Sequence, residues 1–88
     1  MKMIIAILKD EDTDLVSNAL VEMGLYVTRI ASSGGFLRQG KNTLMIGVEA
    51  GQVDQAIQVI QDNCAPTIEP VIKRATLFVI DVEHFEQI

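Results

Sequence analysis

The chain has 88 residues, 49% of them apolar and 22% charged, and is read as a single small globular domain spanning 1–88, short of core because a chain of this size buries only ~60–70% of its unfolded surface. Its longest apolar run, Met3 to Leu8, is six residues against the ~20 that cross a bilayer, so no membrane role is expected. The net charge of −5 speaks against a duplex nucleic-acid partner taken over the whole surface.

In chain order, "KMIIAIL" (2 to 8) is β-branched and apolar and predicts a first strand. "KDEDTDLVSNALVEMG" follows, with Leu15, Val16, Ala19, Leu20 and Met23 at helical spacing. Asp12 or a neighbour can cap this helix, and Gly24 stands where a left-handed terminating residue belongs. "LYVTRIA" (25 to 31) and "TLMIGV" (43 to 48) predict the second and third strands, with a loop between them. Gly51 to Asn63 places Val53, Ala56, Ile57 and Ile60 on one face of a second helix. Both prolines fall in Cys64 to Lys73, an extended connection, before a fourth strand over 74–82 and a tail ending at Ile88.

The order βαββαβ with right-handed crossovers predicts an α+β, ferredoxin-like fold, a four-stranded antiparallel sheet with two helices on one face. A sheet covered on one side should alternate apolar and polar residues. "MIIAIL", "TLMI" and "TLFVI" are apolar at consecutive positions instead. The face without helices therefore needs a cover, and a closed ring of identical subunits supplies one.

Charge is distributed unevenly. Every carboxylate lies at or before Glu22 or at or after Glu49, and between Met23 and Val48 the only charges are Arg29, Arg38 and Lys41. An acid-free segment in an acidic chain leaves room for an anion. Within it, "GFLRQGKN" (35 to 42) approaches the phosphate-binding loop pattern. It fails as one, because Asn42 replaces the magnesium-binding hydroxyl and the loop runs into a strand instead of a helix. Backbone amides of such a Gly-rich turn can still form an anion nest beside Arg38 and Lys41, although an ordinary hairpin loop uses glycines in the same way. Phe36 and Leu37 at its centre need burial, either against a neighbouring subunit or against a ligand such as a nucleobase.

Other candidates are weaker. "DEDTD" (10 to 14) starts like a calcium loop, but Leu15 stands where that loop needs glycine and Val21 where it needs glutamate. The acids suit a helix N-terminus. Cys64 is the only cysteine and His84 the only histidine, so no disulfide can form within the chain, a reducing cytoplasmic setting is expected, and no nucleophile and base can be assembled.

"MKMIIAI", "ASSGGFLRQG" and "ATLFVIDVEHFEQI" together resemble the cyclic-di-AMP receptor proteins of the PII-like superfamily, which carry T-G-G-F-L-R-x-G at the corresponding place. The resemblance runs in register from Met1 to about Val48 and from Arg74 to Ile88. It implies a PII-like homotrimer of ferredoxin-like subunits, without enzymatic activity or cofactor, binding cyclic-di-AMP or a related adenine nucleotide in clefts between subunits and relaying it by loop rearrangement to an unidentified downstream protein. Thr28, Gly35, Phe36, Leu37 and Gly47 match pocket positions, with Gly34 beside them, and Gln87 matches a tail residue close to the pocket. Phe36 would then stack on an adenine while the glycines admit backbone amides to the purine and phosphate.

Three departures accompany the resemblance. "GKNT" replaces the family's G-N-T-T, so the ligand-reading asparagine is displaced by Lys41 or shifted to Asn42. Tyr26 stands where relatives can carry a basic residue, and Lys41 can supply that charge. The connection from the second helix to the fourth strand is about ten residues, shorter than in the family. The competing expectation is a nucleotide-independent interaction module of the same trimeric fold, meeting a partner through Cys64 to Lys73.

Overall fold

The computed structural model describes residues 1–30, 41–64 and 75–88. The Gly-rich segment with Gly34, Gly35, Phe36, Leu37 and Arg38, and most of the proline-containing connection, lie outside the described residues. The element order is β1 (Lys2–Lys9), α1 (Asp10–Glu22), β2 (Tyr26–Ile30), β3 (Lys41–Val48), α2 (Val53–Asn63) and β4 (Ala75–Asp81). The four strands form one sheet in the order β2-β3-β1-β4 with every neighbouring pair antiparallel. This is the ferredoxin-like arrangement, in which each helix crosses from one strand to a parallel partner with a third strand between them.

Alternation along the strands divides the sheet cleanly. Ile4, Ala6 and Leu8 of β1 and Leu44, Ile46 and Val48 of β3 are buried beneath the helices, where they meet Val16 and Leu20 of α1 and Ala56 and Ile60 of α2 in one cluster. Each such side chain contributes on the order of 1.5–3 kcal/mol by leaving water. Both helices therefore cover the same face. Met3, Ile5, Ile7, Met45, Tyr26, Ile30, Phe78 and Ile80 take the alternate positions, so the opposite face is apolar too. Among these, Tyr26 and Phe78 are more than half exposed, at 55% and 54%.

Several boundaries differ from the sequence expectation. α1 begins at Asp10, with extended Lys9 as its N-cap and no side-chain cap, so Asp12 lies inside the first turn rather than capping it. Asp10, Glu11 and Asp12 instead set their charges against the positive end of the helix. Leu15 does not join the core. It is 61% exposed, because the buried stripe runs Thr13, Val16, Leu20 and the neighbouring position rotates ~100° away. Gly24 has φ +83°, the left-handed turn foreseen at the end of α1. α2 is preceded by a 3-10 turn, Ala50–Gln52, so the regular helix starts at Val53 and not at Gly51. β3 starts at Lys41, two residues before the apolar run, because its backbone pairs with the last residues of β1, Leu8 with Asn42 and Lys9 with Lys41. None of the helices of the described residues is long and apolar enough to cross a membrane.

At the opposite end of β1, Lys2 forms an ion pair with its cross-strand partner Asp81. The hydrogen bond from Lys2 and its charge hold the Asp81 carboxyl below the ordinary aspartate value of 3.8. A carboxyl depressed in the folded chain adds stability above its unfolded value, and that contribution is lost as pH falls through the folded value. Asp81 is exposed, so the contribution is small and salt-sensitive. Titration of the Asp81 carboxyl by NMR is expected to give a midpoint below 3.8, rising towards the ordinary value in Lys2→Met; identical midpoints in the two proteins would mean that the pair is not populated in solution.

Candidate functional site

The site lies at one end of the bare face, where the strand rows can be followed across the sheet. Tyr26, Gly47, Met3 and Ile80 stand side by side in one row, and Thr28, Met45, Ile5 and Phe78 in the next. Glycine at the centre of the first row leaves a hollow between Tyr26 and Met3. A Cβ built on Gly47 would meet the Met1 methyl at 2.9 Å and Tyr26 Cβ at 3.9 Å, so the hollow is bounded by those two side chains.

The C-terminal tail completes the enclosure. β4 is one edge of the sheet and β2 the other. The tail leaves β4 with the Val82 amide donating to the Met1 carbonyl at 3.1 Å. Three inter-strand steps of ~4.8 Å separate the edges, and a nearly extended chain at ~3.3–3.6 Å per residue covers that distance in about four residues. Phe85 sits there, with its ring 5.8 Å from the ring of Tyr26 at an interplanar angle of 41°, a tilted geometry favourable for aromatic pairs.

Tail and sheet together enclose a cavity of about 400 Å³. Its floor is Met3, Met45, Thr28 and Gly47, and Tyr26 with Phe85 forms an aromatic side. Met1, Val82, His84 and Gln87 close the rest. The volume falls within the range of small-molecule pockets, which are mostly apolar with a few polar groups that fix orientation. Here those polar groups are the Thr28 hydroxyl, the Gln87 amide, the Tyr26 hydroxyl and the His84 ring. None of the described lining residues carries a side-chain carboxylate. Such a cavity suits a planar, hydrogen-bonding ring, and it does not repel an anion attached to that ring.

Four of the residues singled out from sequence, Tyr26, Thr28, Gly47 and Gln87, thus come together. Lys41 and Asn42 do not join them. They are strand residues rather than loop residues, about six positions from Gly47 along β3, or roughly 20 Å. They also point to opposite faces. Lys41 is on the bare face, directly across from Lys9. Asn42 faces α1, where its amide donates to Asp10 and, at 3.4 Å, to the Thr13 hydroxyl, which itself donates to the Lys9 carbonyl at 2.9 Å. Gly34, Gly35, Phe36 and Leu37 lie outside the described residues.

Sequence reasoning missed Met3, Met45 and Phe85. The two methionines share strand parity with Tyr26 and Gly47 once the register is known, a pattern that period-two reading can recover. Phe85 gave a weaker signal: an aromatic residue in an irregular tail needs a surface to rest on. His84, the only histidine, lines the mouth and approaches Glu86 at 2.9 Å.

The protein-family model described as cyclic-di-AMP receptor matches residues 1–74. Among solved structures, a functionally unknown protein from Pediococcus pentosaceus ATCC 25745 is similar over 99% of this chain and 96% of its own, with 28% sequence identity and a TM-score of 0.78.

Replacing Gly47 tests the hollow directly. Gly47→Ala is expected to shift the Met1 methyl resonance, because that methyl stands 2.9 Å from the new Cβ position, while changing stability by no more than about 1 kcal/mol, the gain in strand propensity and the displacement of a flexible side chain offsetting each other. An unshifted Met1 methyl would show that it does not occupy the hollow.

Proposed function

We infer that this chain, which belongs to the cyclic-di-AMP receptor family, binds cyclic-di-AMP or a related adenine nucleotide at the bare sheet face, in clefts formed between the subunits of a homotrimer. The observation that supports this reading most strongly is the convergence of Tyr26, Thr28, Gly47 and Gln87 on one apolar cavity. A purine has the dimensions and edge polarity for it, and the phosphodiester meets no side-chain carboxylate among the described lining residues.

The subunit arrangement follows from exposure. Phe78, Ile80, Tyr26 and Ile30 lie on the face opposite the helices and each is at least 43% exposed, a large apolar surface for an isolated chain. In the proposed trimer, neighbouring copies cover it, and the cavity opens at the seam. In this reading Phe36 of the Gly-rich segment is a stacking platform for one adenine, and Gly34 and Gly35 admit the ligand close to the backbone. Lys41, with Lys9 across from it, adds positive charge at the other end of the face. The role is non-catalytic: occupancy rearranges the segments around the cleft, and a cytoplasmic partner protein reads the change.

Isothermal titration with cyclic-di-AMP, ATP and AMP tests the binding. Saturable heat with cyclic-di-AMP is expected, and Phe36→Ala is expected to weaken it by ~1–3 kcal/mol, the contribution of stacking to one base. No heat with any adenine ligand would overturn the receptor reading and favour the nucleotide-independent interaction module; an unaltered affinity in Phe36→Ala would return that ring to the subunit interface.

Sedimentation tests the assembly. A trimer is expected at micromolar concentration, and a well-folded monomer would remove the clefts on which the site depends.

A further inference from the structure

We propose that Phe85 is a positioning residue: by resting on Tyr26 it holds the C-terminal tail across the bare face and so delivers the Gln87 side chain to the cavity. The delivery rests on the reading that this cavity receives the nucleotide. The anchoring of the tail does not.

After Asp81 the chain leaves the sheet ladder, and its residues have no regular structure. Among the described residues, one backbone hydrogen bond and one ring contact tie it to the sheet, from the Val82 amide to the Met1 carbonyl and from Phe85 to Tyr26. The His84 contact with Glu86 lies within the tail and fixes nothing to the sheet. Gln87 is two residues beyond Phe85 and lines the same cavity. Without the ring contact, the last of these points of attachment among the described residues is Val82, five residues before Gln87, and the side chain explores a volume much larger than the cavity. Ordering those residues costs conformational entropy that an aromatic contact can offset in advance.

The two anchors are also on opposite edges of the sheet, Val82 beside β4 and Tyr26 on β2. A tail fixed at both points is drawn across the end of the sheet, over the row containing Gly47, where the Met1 methyl stands 2.9 Å from the position of a Cβ on that glycine. If Gln87 meets the ligand only in the held state, the apparent affinity falls in proportion to the fraction of molecules in that state.

The test uses the full chain with two readouts. Without ligand, ¹⁵N order parameters of the Glu83 to Gln87 amides are expected to drop below ~0.6 in Phe85→Ala, the range of mobile backbone, with unchanged circular dichroism because Phe85 is 48% exposed and outside the core. With cyclic-di-AMP, Phe85→Ala is expected to bind roughly two- to tenfold more weakly, the worth of one aromatic pair, and Phe85→Tyr to restore the affinity. In a Gln87→Ala background, Phe85→Ala should cost nothing further. Unchanged order parameters in Phe85→Ala would overturn the anchoring. Additive losses in the double variant would overturn action through Gln87. Absence of heat with the unmodified chain would overturn the nucleotide reading and the delivery together, and the order parameters would still decide the anchoring.

Discussion

Side chains leave a strand on alternating faces, and in this protein both alternating sets are apolar. The even positions of β1 and β3 meet the helices and make the core, while the odd positions, with Phe78 and Ile80 of β4 and Tyr26 and Ile30 of β2, make a second apolar surface that no helix of the described residues covers. The described residues form two α-helices, and the βαββαβ order places both on one side. Everything proposed about assembly and ligand comes from that surplus. A polar bare face would have made a self-sufficient subunit with nowhere to hold an aromatic heterocycle.

Polar contacts gather at the margins of the sheet. Lys2 meets Asp81 at one end of β1, Asn42 meets Asp10 where β1 gives way to α1, and Arg29 reaches Asp14 of α1 at 2.5 Å. The first and third are exposed ion pairs of little energetic weight, but they mark register: each joins residues that a one-residue slip would send to opposite faces. Among the described residues, the bare face is almost free of charge between its two ends, with Lys9 and Lys41 at one end and, at the other, a cavity whose lining holds no side-chain carboxylate. Such a distribution favours a partner that is apolar and planar over most of its area and anionic at a limited number of points.

The cavity depends on residues far apart in sequence. Met1, Met3, Tyr26, Gly47 and Phe85 belong to both chain ends and to three strands or their approaches, and a void is possible because the central one of them has no side chain. In strands, glycine is a local weakness. Here it makes room for the Met1 methyl beside Tyr26, so a loss in strand propensity coincides with the lining of the cavity.

Element order was legible in the sequence because it rests on local periodicity: β-branched runs for the strands, Val53, Ala56, Ile57 and Ile60 for α2, and Gly24 for the end of α1. The unprotected sheet face was legible for the same reason, since consecutive apolar residues in a strand must face both ways. Four candidate site residues, Tyr26, Thr28, Gly47 and Gln87, came from a family resemblance, and the fold brings them to one cavity. Only tertiary structure decided that Lys41 and Asn42 extend β3 and diverge to opposite faces, that Leu15 turns out to solvent, and that Phe85 crosses the whole sheet to reach Tyr26. Periodicity records which way a residue points relative to its neighbours in the chain; what it then faces is set by register and by packing between segments distant in sequence.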